Sequence, residues 1–376
     1  MNAHSLTLRP AQIVFSFWIA LFALVLVDGY ALNLISLPAD PTVIFIAVLI
    51  EMILLARWLL LCHPRWDGDP LEFAGFLISS VVIGIYFLVP ALPTFLPPSF
   101  SVDPANHLAF VNSTFATGQI VSDYPGGPAL IGALAARWLG EPPLRVIHPL
   151  AALWIALTAG GIFGIACAAL PDRRVYKIVA LFAPFALFVP WDYFAGALIG
   201  SEYFWSQVAA QLFLIAFVWF LIAYRDSRHV LWAVGMALCL IAISVSFQLW
   251  LAVPAAMFGL ALVAEWRSRA SRRQMLTMGL IVLGIPSLFW LALLVAGSRF
   301  IPNTARLSAA GAIQMPSFDA LGGAYLFLPL LGVLLLPRAG ARGWVVRRFI
   351  ALAVAQCVFA LAANLWFGIS AYWVAK

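Results

Sequence analysis

Residues 13–36 read IVFSFWIALFALVLVDGYALNLIS, a run broken by a single charge, Asp28. As a helix rising about 1.5 Å per residue, such a run crosses the roughly 30 Å hydrocarbon layer of a bilayer. It lacks the strict apolar–polar alternation that a barrel strand needs, so a helix is expected. It is too long for the apolar region of a signal peptide and no A-x-A site follows it, so the segment is expected to be retained. The pattern recurs along the chain. Further spans are expected at about 42–62, 73–92, 146–170, 178–196, 204–223, 230–246, 248–265, 275–297, 321–337 and 349–368, eleven in all.

Composition agrees with these spans. Hydrophobic residues are 64% and charged residues 10%, with a mean hydropathy of +1.02, against about 45–50% and 25% in soluble domains. A chain of this kind cannot cover its apolar side chains with polar surface in water, but in lipid it need not. Spanning backbone must then be satisfied internally, which leaves helices or a closed barrel. The expected fold class is all-α, a polytopic transmembrane helix bundle. Cys62, Cys167, Cys239 and Cys357 are scattered singly, with neither disulfide nor metal spacing.

The net charge of +6 could suggest nucleic acid, but its distribution points to membrane topology. With the N-terminus on the cytoplasmic side, 16 of the 21 basic residues fall in cytoplasmic segments. They include Arg57, Arg65, Arg225, Arg228 and the clusters around residues 267–273 and 338–348. That bias follows the positive-inside rule. Residues 128–139, PALIGALAARWL, are apolar but too short to span, and counting them as a span would invert every later loop. They are expected to form an interfacial or re-entrant helix with Arg137 and Trp138 at headgroup level. Residues 93–145 then make one long external loop. Residues 1–72 hold the first two spans, and residues 73–376 hold the long loop and the other nine.

Acidic residues are rare, so their places are informative. Glu51 lies mid-span, where a charge must be neutral, paired or turned into the bundle. The densest polar stretch is SVDPANHLAFVNST, residues 101–114, followed by DYPGGP at 123–128. Asp103 before Pro104 is a favoured helix start, Asp as N-cap and Pro at the first position. Asn106 and His107 would sit on the first turn, His107 four residues from Asp103, so an acid and a histidine could converge on one ligand. The plainer reading is a capped surface helix. Tyr124-Pro-Gly-Gly-Pro reads as a turn, and Asn112-Ser-Thr matches a glycosylation sequon. In the next external loop Trp191, Tyr193, Tyr203 and Trp205 read as an aromatic belt. Asp192 and Glu202 are not explained by that belt and are candidate hard-cation ligands for Mg²⁺ or Mn²⁺. His148, at the start of a span, reads as a satisfied interfacial residue.

A long external loop with an acid near its start and an interfacial helix inside it, followed by spans with short loops, resembles the GT-C superfamily of polyprenyl-phosphate-sugar-dependent glycosyltransferases. Asp103 in Asp103-Pro-Ala-Asn-His107 stands where that family carries its catalytic acid, and Tyr124-Pro-Gly-Gly is similar to the Tyr-Pro turn downstream in that loop. The chain departs from the pattern: the loop follows the third span rather than the first, and residue 104 is Pro rather than a second acid. The resemblance implies an inverting membrane glycosyltransferase with a polyprenyl-phosphate-linked sugar as donor, in a bacterial inner membrane. It implies Asp103 as general base, His107 orienting it or the acceptor, and substrate contacts from Asn106, Tyr124, Arg299, Arg306 and Lys376. Asp192 and Glu202 would hold the metal. Two other classes stay open: a lipid or solute transporter, and a non-catalytic subunit of a larger membrane complex.

Overall fold

The computed structural model describes residues 6–97, 102–120, 126–170, 174–188, 205–267, 272–296, 344–352 and 354–355. Proline and aspartate open the first helices. α1 (Pro10–Leu34), α2 (Pro41–Leu61) and α3 (Pro70–Leu88) each begin on proline, whose fixed φ suits the first helical position and whose missing N–H would have had no partner there. Asp40 Oδ1 accepts from the N–H groups of Thr42 (2.8 Å) and Val43 (3.0 Å), and Asp69 Oδ1 accepts from Leu71 (2.9 Å). The chain continues with α4 (Val102–Thr117), α5 (Gly127–Leu139), α6 (Pro143–Ala169), α7 (Arg174–Phe188), α8 (Trp205–Ser227), α9 (Val230–Ser246) and α10 (Ala252–Arg267). Next, α11 (Arg272–Gly279) runs through a π segment, Leu280–Gly284, into α12 (Ile285–Val295). The π segment ends two residues before Pro286, whose absent N–H cannot continue the regular bonding ladder.

Among the described residues six helices are long and apolar enough to cross a membrane: Pro10–Leu34, Pro41–Leu61, Pro70–Ala91, Pro143–Ala169, Trp205–Ser227 and Gln274–Val295. The chain has the build of an integral membrane protein. α9 and α10 are apolar but shorter, 17 and 16 residues. The connection between them is tight: a single residue, Phe247, separates α9 from a 3₁₀ turn, Gln248–Leu251, that leads into α10. The span expected at 321–337 lies outside the described residues.

The bundle has a clear centre. Of the most apolar stretch of each helix, 83% is buried in α6 and 94% in α8, but only 11% in α2. α2 instead turns Phe45, Ile46, Leu49, Ile50, Ile53 and Leu54 outward, a face that suits lipid and not water. Small residues let α6 approach its neighbours. A Cβ on Gly161 would stand 2.7 Å from an Ile215 methyl, and one on Gly164 would stand 2.5 Å from the Trp219 ring. Phe15 of α1 joins this centre, its ring 4.9 Å from Trp219 and 6.3 Å from Phe76.

Among the described residues the non-helical pairing is one short parallel ladder, Thr7–Leu8 beside Arg65–Trp66. It clips the segment before α1 to the α2–α3 connection. Arg9 Nη1 donates to Glu72 Oε2 at 2.8 Å and its Nε lies 3.8 Å from Asp67. Lys177 of α7 pairs with Asp69.

The short apolar helix expected at 128–139 is found as α5, and most of it is enclosed by the bundle. Its residues Leu130, Ile131, Ala133, Leu134 and Ala136 are buried, packed on α1, α4, α6, α8 and α9. Gly140 ends α5 with φ 67°, and the N–H of Glu141 reaches the Ala136 carbonyl at 3.0 Å. Arg137 donates to the Phe115 carbonyl, its guanidinium 5.4 Å from the Phe115 ring centre. Trp138 Nε1 donates to the Pro41 carbonyl at 2.9 Å.

Candidate functional site

α4 lies at the end of the bundle opposite Arg9 and packs on α5 and α6. It begins at Val102, so Asp103 lies within the first turn instead of capping it. Pro104, His107, Val111 and Thr114 are buried, at the three- and four-residue spacing of one helix face. Asn106 is exposed, about 100° round the helix from the buried His107.

His107 is the fixed point of that face. It is 5% exposed, and its ring centre lies 6.1 Å from that of Trp205 at the start of α8. Trp205 in turn stacks at 5.2 Å on Trp154 of α6 and donates its indole N–H to the Ile147 carbonyl at 3.1 Å. Gly132 of α5 makes room for this column, since a Cβ there would come within 2.7 Å of the Trp205 ring. Burial pushes the His107 imidazole down to about 4, because a charged ring would lose its water. At neutral pH the ring is therefore uncharged, with one nitrogen that donates and one that accepts. It can orient a neighbour or accept a proton, but it cannot act as a standing cation for a phosphate.

His148 is satisfied, as its position suggested, but inside the bundle: it is 0% exposed, with Nε2 2.8 Å from the Phe87 carbonyl oxygen. Tyr124, Asp192, Glu202, Arg299, Arg306 and Lys376 lie outside the described residues. Among the described residues no group of three or more His, Cys, Asp or Glu is placed to hold a metal ion.

Comparison with protein-family models, characterised proteins and solved structures finds no match to the chain.

The other end of the bundle holds polar structure that spacing alone did not reveal. Burial alone would lower the Arg9 pKa, but the ion pair and hydrogen bond with Glu72, with Asp67 adding its charge, hold the guanidinium above its ordinary value. The hydrogen bond from Lys177 holds the Asp69 carboxyl below the usual range despite partial desolvation. Arg9, Asp67 and Asp226 line a cavity of about 410 Å³ there. Each had been legible only as a charge at the end of a span. The available signal was the mixing of acids among the arginines of this end.

Proposed function

We propose that the chain is an inverting membrane glycosyltransferase that moves a sugar from a polyprenyl phosphate to an acceptor hydroxyl at the membrane face carrying α4. The observation that supports this most is the rooting of the first turn of α4. His107 is locked against Trp205, so Asp103, one turn earlier in register, has a fixed backbone position at the end of the bundle. A general base needs such a position, because proton transfer demands hydrogen-bond reach to the reacting group. In this reading the eleven spans place the arginine-rich end in the cytoplasm and α4 outside.

The Asp103 carboxylate accepts the acceptor's hydroxyl proton as the oxygen attacks the anomeric carbon of the donor. The bond to the phosphate oxygen breaks and the polyprenyl phosphate leaves with its electron pair, inverting the anomeric centre. Arg299, Arg306 and Lys376 are the bases proposed to receive that phosphate, with Tyr124 and the exposed Asn106 contacting the sugar or acceptor. A Mg²⁺ or Mn²⁺ ion on Asp192 and Glu202 would add positive charge at the same point. His107 acts as a positioning residue.

The test is Asp103→Asn in purified protein with a lipid-linked sugar donor and its acceptor. Transfer is expected to fall by about 10²–10⁴-fold, the usual contribution of a general base, while thermal unfolding in detergent is unchanged. Full transfer by Asp103→Asn overturns the assignment.

A further inference from the structure

An apolar groove of about 190 Å³ runs along α1 at the Arg9 end of the bundle, walled by Met52 and Leu55 of α2 and by Leu231 and Leu238 of α9. Gln12 and Trp232 line both this groove and the polar cavity of about 410 Å³, so the two are continuous. Trp232 sits at the junction, its indole N–H donated to Ser227 Oγ at 3.0 Å and its ring against Phe220. That is how tryptophan sits between water and lipid. Along α1 the groove runs from Gln12 to Ala20, about 12 Å of helix. One leaflet of hydrocarbon is roughly 15 Å thick, so the groove has the reach of one acyl chain entering from the surface.

Two neutral polar side chains in this apolar setting have hydrogen bonds to spare. A serine or threonine within a helix can turn its hydroxyl to the carbonyl four residues back, as Thr117, Thr158 and Ser227 do here. Ser16 does not: its Oγ is shut off from solvent and has no hydrogen-bond partner among the described residues. The Gln12 side chain, one turn nearer the polar cavity, makes no hydrogen bond among them either. Four residues apart on one helix, the two line the same groove. Together they offer the two N–H groups of an amide and one O–H. An unmade hydrogen bond away from water is costly, and an acceptor brought by a ligand recovers it. The carbonyl oxygen of an ester accepts and donates nothing, and in a membrane lipid it lies at this depth, between head and chain. A polyprenyl chain carries no such acceptor, and an ether oxygen is a weaker one.

We propose that the groove binds a membrane lipid with ester-linked chains, one chain lying along α1 against α2 and α9 and an ester carbonyl accepting from Gln12 and Ser16. The head lies toward the polar cavity. Recognition is by the linkage, not by the charge of the head. This site lies at the opposite end from α4 and does not depend on the transferase reading.

The test uses full-length protein stripped of lipid in detergent. It is offered equimolar phosphatidylcholine with two ester-linked chains and the analogue with two ether-linked chains of the same length, and native mass spectrometry counts the retained lipid. At least a threefold preference for the diester is expected. Gln12→Leu combined with Ser16→Ala should bring the two lipids to parity. Ser16→Ala alone removes an unpaired hydroxyl, so the lipid-free variant should melt no lower than the native protein, while its gain in melting temperature on adding the diester should be smaller. Leu55→Trp, on the sparsely buried α2, should fill the groove and cut retention of both lipids several-fold. Equal retention of diester and diether, a preference untouched by the double variant, or retention untouched by Leu55→Trp would each overturn the proposal. So would a lower melting point of lipid-free Ser16→Ala, which would mean that the hydroxyl is already bonded within the protein, or displacement of the diester by equimolar polyprenyl phosphate, an occupant with no carbonyl.

Discussion

His107 illustrates how burial sets the chemistry of a single group. Its pKa falls to about 4 from the ordinary 6.5, so the unfolded chain binds a proton at pH values where the folded chain does not. Stability is then complete above pH 6.5 and is lost as pH falls through that window toward 4. A shift of this size corresponds to about 3 kcal/mol. Thermal unfolding in detergent from pH 7.5 to 4 should show that loss in the native protein, and His107→Gln should flatten it; equal slopes would show that His107 does not carry the effect. Glu72 behaves differently. It is 4% exposed and bonded to Arg9, and Glu72→Gln leaves a half-buried guanidinium with a weaker acceptor. Removing one partner of a buried pair costs about 3–5 kcal/mol; with Arg9 partly open to solvent, about 2 kcal/mol is expected, read as a lower melting temperature at pH 7. An unchanged melting temperature would mean that water already compensates Arg9.

At the scale of elements, what the sequence carried plainly was local. Pro10, Pro41 and Pro70 at helix starts, Asp40 and Asp69 as caps, and uninterrupted apolar runs place α1, α2 and α3 within a few residues of their expected spans. The non-spanning helix at 127–139 was also visible, because 13 residues cannot cross a bilayer. Its burial was not visible: apolar content says that a helix avoids water, not whether lipid or protein covers it. The same ambiguity hid which spans are central. The small residues of α6 settle that, and they give a sharp contrast. Gly164→Leu forces a side chain into Trp219, whereas a Cβ on Gly259 of α10 meets nothing within 4 Å, so Gly259→Leu starts into open space. The first should destabilise by about 3 kcal/mol through overpacking, and the second should leave the melting temperature within a degree or two. Similar losses in both would mean that α6 is not the packing centre.

Across the whole molecule, the candidate site was legible only in part. The i, i+4 spacing brought Asp103 and His107 to consecutive turns of one helix, and α4 has that register. Spacing could not say that His107 would be fastened to Trp205, nearly a hundred residues away. Nor could it assemble the polar cavity at the Arg9 end, whose lining comes from residues 7–12, 67, 168 and 219–232. Such proximities are made by tertiary packing. The global property the sequence does carry is asymmetry of charge, and with it orientation. Arg65 precedes α3 and Asn106 follows it, with one candidate span, Pro70–Ala91, between them. If arginine bias sets the topology, Arg65 faces the cytoplasm and Asn106, exposed on α4, faces outward. In a chain whose four native cysteines are replaced by alanine, Asn106→Cys should react with a membrane-impermeant maleimide on intact cells. Arg65→Cys should react only after the cells are opened. The reverse pattern would invert the molecule and put α4 on the cytoplasmic side. Labelling of both positions on intact cells would mean that Pro70–Ala91 does not cross the membrane.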